Sequence, residues 1–429
     1  MYIPDIETKS KSEIQSFQEE KLQSLIHYTY ENSKFYRELL DANQLTPQSI
    51  KSIDDLKKIP PTSKHHLYER NADFICVPST RIIDYITTSG TLGDPVTFAM
   101  TNKDLDRLAY NEYISFAGAG GTPEDIYQLM VTIDRRFMAG LAYFLGIKKL
   151  GAGVVRVGNG IPELQWDSVK RISPNWLVAV PSFILKLIEY AEKNNIDYKN
   201  SSLKKAMCIG EALYTPDFKL NTLGKRIKDK WDIELFTTYA STEMGAAFTD
   251  CSHHHGGHHH PELLIVEFLD ENNQDVAPGE PGELVITTLD VEGMPLLRFK
   301  TGDIVQHHTE PCECGRTSMR LGPVIGRKNE MIKYKGTTLY PPALYDILNN
   351  IDHIENYVVE VFKNDIGTDE ILIHIGTFGV SESYIKTIKD HFRAKLRVAP
   401  NIQLHTVDEV DKIKYPAMKR KPVVFIDKR

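Results

Sequence analysis

The spacing of apolar and polar positions changes character three times along the chain. Residues 11–43 are highly charged and carry one apolar stripe, Leu22, Leu25, Ile26 and Tyr30, so a long helix is expected there. From Ile82 onward, short apolar runs alternate with helical patterns. Strands are expected at 82–86, 126–133, 153–157, 176–180, 206–209 and 233–239. Helices are expected at 101–117, capped by Thr101 or Asn102, and at 138–145, 182–193 and 216–230. Such βα alternation implies a largely parallel sheet covered by helices. After Glu262 the pattern shifts to hairpins, with strands expected at 263–268 and 283–289. Residues 330–429 read as a compact α+β unit. Helices are expected there at 342–350 and 382–397, and strands at 354–362, 371–375, 403–407 and 423–427. A domain boundary is placed near 327–330.

A chain of 429 residues is too long for one ordinary core, so two or three domains are expected. Hydrophobic residues at 41% and charged residues at 25% are ordinary for a soluble globular protein. The net charge of −7 argues against a general nucleic-acid or membrane-surface binder. No apolar run is long enough to predict a transmembrane helix. The segment from Met1 to Lys9 lacks the basic-then-apolar pattern of a signal peptide. Of the five cysteines, Cys76 and Cys208 stand alone in apolar contexts, whereas Cys251, Cys312 and Cys314 group. A reducing cytoplasm with one metal cluster is expected, rather than a disulfide framework.

The first candidate for chemistry is the run Thr87-Thr-Ser-Gly-Thr-Leu-Gly-Asp-Pro95, directly after an expected strand. Glycines let the backbone turn its N–H groups inward, and the hydroxyls add donors, so the run suits an anion. It is not a Walker A loop, because no Gly-Lys-Ser/Thr follows. Alone, it reads equally well as a polar surface turn. Four further motifs follow in order: Gly210-Glu-Ala212, Tyr239-Ala-Ser-Thr-Glu243, Arg298-Phe-Lys-Thr-Gly-Asp303 and Gly326-Arg-Lys-Asn-Glu-Met-Ile332. Together with Ile59-Pro-Pro-Thr-Ser-Lys64 and Phe425-Ile-Asp-Lys-Arg429, they make the chain resemble the adenylate-forming superfamily of acyl-CoA synthetases. Within it, the chain is similar to the phenylacetate–CoA ligase family. The resemblance is colinear and spans essentially the whole chain.

The resemblance implies an α/β fold: a large N-terminal adenylate-forming domain of mixed sheets and covering helices, residues 1–328, and a small mobile C-terminal α+β domain, residues 329–429. It implies that Thr87, Thr88, Ser89, Gly90, Thr91 and Gly93 wrap the phosphates of ATP. Gly210, Glu211 and Ala212 line one face of adenine, and Tyr239 meets the other, followed by Ala240, Ser241 and Thr242 in the same nucleotide-binding run. Glu243 matches the carboxylate that binds Mg2+, a hard cation that needs oxygen ligands. Asp303 matches the residue that holds the ribose hydroxyls, and Arg327 the arginine that supports ribose or phosphate. Lys421 matches the mobile lysine that reaches the carboxylate and the α-phosphate, with Lys419 as the alternative. The hinge falls at Asn329, where relatives often carry aspartate. One departure is Asp94, which stands after the last loop glycine where relatives usually carry lysine.

The same family pattern has a cysteine, a Gly-x-His seven residues on, and a Cys-x-Cys-Gly-Arg. It implies a closed, structural Zn2+ site of Cys251, His258, Cys312 and Cys314. Six of the eight residues 253–260 are histidine, so His255 and His259 are alternatives for the fourth ligand. The acid pocket is expected at Phe137–Tyr143, a segment that reads equally well as helix-core packing, with Arg135 and Arg136 before it. The implied reaction joins a small, aromatic carboxylic acid to coenzyme A through an acyl-adenylate, releasing AMP and pyrophosphate. The assembly is open between monomer and homodimer. Two rival readings stand beside it: transfer of the acyl group to a carrier protein or other acceptor, and a degenerate nucleotide-binding regulatory module, for which Asp94 is the main support.

Overall fold

The apolar runs in the first half of the chain become neighbouring strands of one sheet. In the computed structural model, residues 2–88, 96–334, 337–365, 367–378, 383–416 and 422–429 are described. Strand Ile126–Leu129 pairs in parallel with Gly153–Arg156 and with Trp176–Ala179. Trp176–Ala179 then pairs in parallel with Lys205–Ile209, and that strand with Glu234–Ser241. Four further strands, Ala246–Thr249, Gly257–His258, Arg320–Leu321 and His307–His308, continue this nine-stranded sheet in antiparallel fashion. The inner parallel strands Ile126–Leu129, Trp176–Ala179 and Lys205–Ile209 are buried almost throughout, as a sheet covered on both faces requires, whereas the edge strand Gly153–Arg156 is partly exposed. Tyr127 stacks on Trp176 at 5.1 Å, and Trp176 lies 5.3 Å from Phe236, so aromatic rings run across the strands.

Helices Asn102–Gly118 and Met138–Leu150 pack closely against each other. A Cβ at Gly146 would sit 2.2 Å from the Cβ of Glu112, so only glycine permits this approach. A second sheet holds Leu264–Leu269, Gly282–Thr288 and Phe299–Val305, with Thr62–Ser63 added in parallel at Phe299 and Lys300. A separate hairpin pairs Asp84–Thr87 with Thr97–Met100.

The chain divides into two units. Unit 1 comprises 1–220, 224–301 and 305–323; unit 2 comprises 221–223, 302–304 and 324–429. Unit 2 has a four-stranded sheet in the order Asn401–His405, Asp369–Gly376, Asn356–Lys363, Phe425–Asp427. Helices Pro341–Asn349 and Ser383–Leu396 supply Leu344, Ile347, Leu348, Ile388 and Phe392 to its core.

Several expected elements differ. The helix over 11–43 breaks at Ser33, whose hydroxyl accepts from the Tyr36 N–H and donates to the Asp73 carbonyl, so Lys11–Asn32 and Lys34–Ala42 are separate. The helix expected from 216 begins at Thr222, because Tyr214 and Leu220 form a bridge and Phe218 has φ +58. Helix Pro162–Ile172 was not expected. Its buried stripe is only Gln165, Trp166 and Val169, too polar to stand out. Strand Asn401–His405 ends before Val407, because Thr406 caps the unexpected helix Val407–Lys414.

Glu112 is buried between the two packed helices, with Asn111 Nδ2 donating to its Oε1 at 3.0 Å. Burial pushes its carboxyl from the ordinary 4.5 up to about 8. The unfolded chain therefore loses this proton first, and stability falls as pH rises from about 4.5 to about 8. Glu112→Gln removes that decline, which is on the order of 3–5 kcal/mol at its full extent. Urea unfolding across this pH range should show the variant gaining on the wild type as pH rises; parallel profiles would contradict the assignment.

Candidate functional site

The residues that flank the hydroxyl-rich run, Thr87, Thr88 and Val96, are fixed at the end of the hairpin Asp84–Thr87/Thr97–Met100. The Thr88 N–H donates to the Val96 carbonyl at 3.0 Å, and Thr88 Oγ1 accepts from the Val96 N–H at 3.1 Å. The Thr87 N–H donates to the Arg136 carbonyl at 3.0 Å. Thr87 Oγ1 is buried with no hydrogen-bond partner among the described residues. Ser89, Gly90, Thr91, Gly93 and Asp94 lie outside the described residues, as do Lys419 and Lys421.

The next two motifs follow the ends of the sheet's central strands. Gly210 ends strand Lys205–Ile209 with φ +74, a turn that favours glycine. Glu211 then accepts from the Ser182 N–H at 2.8 Å and its hydroxyl at 2.9 Å, at the start of helix Pro181–Lys193. Its carboxylate thus fixes the loop that exposes Gly210 and Ala212. Tyr239, Ala240 and Ser241 close strand Glu234–Ser241. Thr242 and Glu243 lie in the tight turn to Ala246–Thr249, rather than at a helix start.

Two residues that sequence reasoning missed shape this turn. Arg107 is buried on helix Asn102–Gly118 and donates to three carbonyls: Gly245 at 2.7 Å, Leu263 at 2.7 Å and Leu289 at 2.8 Å. Burial lowers its pKa to about 10, so it stays a cation at neutral pH. Lys64 Nζ lies 3.7 Å from Glu243 Oε1, and both side chains are mostly buried. Its placement follows from Arg298, which pairs with Glu267 through two nitrogens and donates to the Ile59 carbonyl at 2.7 Å. The segment held in this way forms strand Thr62–Ser63 and delivers Lys64 at the start of helix Lys64–Glu69. The only hint in the sequence was Lys64 within its Ile-Pro-Pro-Thr-Ser-Lys run.

Helix Met138–Leu150 carries part of the segment Phe137–Tyr143 into the core. Met138, Gly140, Ala142 and Tyr143 are buried. Phe137 and Leu141, with Ile83, Ile86, Leu105 and Ile133, line an open, mostly apolar groove of about 390 Å³ that Asp84 and Arg136 also border. Met138 instead lines a cavity of about 20 Å³ beside Thr242 and Glu243.

In unit 2, strand Gly326–Arg327 pairs with Asp303 and Ile304 of strand Phe299–Val305. Arg327 Nε donates to Asp303 Oδ1 at 3.1 Å. The carboxylate is mostly buried, whereas the arginine side chain is half exposed.

The cysteines and one histidine converge in unit 1. Cys251 Sγ lies 3.8 Å from Cys312 Sγ, and Cys314 Sγ lies 3.5 Å from His258 Nε2. All four ligand atoms lie within 4.8 Å of one another, and the cysteines are free. With metal–sulfur and metal–nitrogen bonds of about 2.3 and 2.0 Å, tetrahedral angles separate two sulfurs by about 3.8 Å and sulfur from nitrogen by about 3.5 Å. The donor set and spacing therefore fit a four-coordinate metal ion. His259 turns to the other side, where its Nε2 donates to the Leu264 carbonyl at 2.7 Å, and burial lowers its pKa to about 4. Beneath the cluster, Arg316 Nη1 donates to Cys314 Sγ at 3.4 Å. Arg316 also pairs with Glu7, which contacts His260, and all three residues are almost fully buried.

The AMP-binding enzyme family model matches residues 11–291. The chain belongs to this family. It is 29% identical over 414 residues to the phenylacetate-coenzyme A ligase of Thermus thermophilus, covering 95% of this chain and 91% of that protein. It is 28% identical over 367 residues to the phenylacetate-coenzyme A ligase of Escherichia coli, covering 83% and 81%. Its fold is similar to that of 2-hydroxyisobutyryl-CoA ligase, solved in the postadenylation state with an acyl-AMP. The TM-score is 0.84 at 22% identity, over 100% of this chain and 94% of that one.

Proposed function

We propose that this AMP-forming acid–thiol ligase activates a small aromatic carboxylic acid and transfers it to coenzyme A. The observation that carries the reading is the Glu243 turn, at the end of the sheet's central strands and beside a helix start that faces an apolar groove. The groove's size and its Phe137 and Leu141 lining suit a small aryl group. Phenylacetate is the substrate named for two similar enzymes.

The acid's carboxylate oxygen attacks the α-phosphorus of ATP, and the bond to the bridging oxygen breaks to release pyrophosphate. The chain's work in this step is positioning and charge neutralisation. The loop from Thr87 to Gly93 receives the phosphates. Gly210 to Ala212 and Tyr239 to Thr242 hold the base, while Asp303 and Arg327 hold the ribose. Glu243 is a mostly buried carboxylate that would hold Mg2+, a hard cation that takes oxygen ligands. A Mg2+ ion held there would supply charge neutralisation to the phosphates. Lys421 neutralises the approach of one anion to the other. The thiolate of coenzyme A then attacks the acyl carbonyl, AMP leaves, and the thioester forms. The small C-terminal domain swings between the two steps about Asn329.

Pyrophosphate release should depend on added acid, be highest with phenylacetate-like acids, and yield one thioester per AMP when CoA is present. Acid-dependent release with no thioester would point to another acceptor. No acid-dependent release would sink the enzyme reading and favour a regulatory nucleotide binder.

The cysteine cluster is a structural zinc site, with Cys251, His258, Cys312 and Cys314 filling all four positions. It fastens the turn Asp5–Thr8, the segment 251–260 and the segment 307–321 together. Protein purified without added metal should carry one tightly bound zinc per chain. His258→Ala should lose it and His259→Ala should keep it; substoichiometric zinc in the wild type would contradict the site.

A further inference from the structure

In unit 2, strand Gly326–Arg327 is paired with Asp303 and Ile304, and the chain enters the unit's apolar core at Ile332. The single turn Lys328–Glu330 is the covalent link between the two. Asn329 is exposed, and within the turn the Met331 N–H donates to the Lys328 carbonyl at 3.3 Å. The turn is also gripped from outside. Arg429 Nη1 donates to the Met331 carbonyl at 2.6 Å, and Nη2 donates to the Asn329 carbonyl at 3.2 Å. The same guanidinium is anchored by two carboxylates: Nη1 donates to Asp369 Oδ2 at 2.9 Å, and Nη2 to Asp427 Oδ2 at 2.6 Å. Its side chain is only 14% exposed. Both anchors are on the four-stranded sheet, since Asp369 opens strand Asp369–Gly376 and Asp427 closes strand Phe425–Asp427.

We propose that Arg429 is a positioning residue that latches the turn Lys328–Glu330 to this sheet and so sets the balance between the backbone conformers of the pivot. A planar guanidinium offers five N–H donors in a fixed fork. Here the fork spans the carbonyls on both sides of Glu330, so backbone rotation at Asn329 or Glu330 must break at least one of these bonds. A charge-assisted bond of this kind shifts a two-state equilibrium by roughly tenfold or more. The consequence for catalysis rests on the proposed reading of unit 2 as the part that moves between the half-reactions.

The test compares the full-length wild type with Arg429→Gln and Lys363→Gln. Lys363 also pairs with Asp369, at 2.6 Å, so its variant reports loss of support for Asp369 alone. Arg429→Gln should speed hydrogen exchange in the peptide covering 328–334 by roughly tenfold. It should also change the ratio of acid-dependent ATP–pyrophosphate exchange to CoA thioester formation by about fivefold or more. Lys363→Gln should move neither. Unchanged exchange in Arg429→Gln, equal effects of both variants, or a looser turn with an unchanged ratio would each overturn the latch. If the wild type shows no acid-dependent pyrophosphate exchange, the ligase reading fails by itself, and hydrogen exchange still decides the latch.

Discussion

Three carbonyl oxygens from segments far apart in sequence converge on the Arg107 guanidinium, and the candidate nucleotide site depends on that convergence. Gly245 belongs to the Glu243 turn, Leu263 precedes strand Leu264–Leu269, and Leu289 follows strand Gly282–Thr288. One side chain thus ties the nine-stranded sheet to the second sheet at the point where Glu243 is presented. The geometry calls for arginine, because only a planar fork reaches three acceptors from one rigid group. Without it, each buried carbonyl left unpaired would cost about 1–3 kcal/mol.

The other charges around the site divide into those that build and those left accessible. Glu267 with Arg298, and Glu7 with Arg316, are almost fully buried pairs. Such pairs contribute little net stability against apolar replacements, but they demand one geometry. The first fixes the path that brings Lys64 to Glu243, and the second sits beneath Cys314. By contrast, the Arg327 side chain is half exposed where it pairs with the mostly buried Asp303.

Much of this was legible in the sequence because the governing signals are local. The apolar runs at Trp176–Ala179 and Lys205–Ile209 are buried on both faces, so they stand out without a partner. Thr101 is a visible cap, joined by Asp104 in a reciprocal pair of bonds. Cys-x-Cys spacing marked the metal cluster, but the choice among six histidines needed the backbone. Successive side chains of an extended segment point to opposite sides, so His258 and His260 face the Cys314–Glu7 side while His259 turns away. Arg107 and Lys64 were invisible for the converse reason. Their meaning lies in partners more than a hundred residues away. Helix Val407–Lys414 escaped notice because Val410 is its only buried residue.

In the proposed reaction the acid's own oxygen attacks the α-phosphorus of ATP. Tracing the carboxylate oxygens tests it most directly. With phenylacetate labelled with oxygen-18 in both carboxylate positions, ATP and CoA, one labelled oxygen should appear in AMP and none in pyrophosphate, because thioester formation breaks the acyl C–O bond. Label in inorganic phosphate, or label-free AMP beside newly formed thioester, would contradict the acyl-adenylate route.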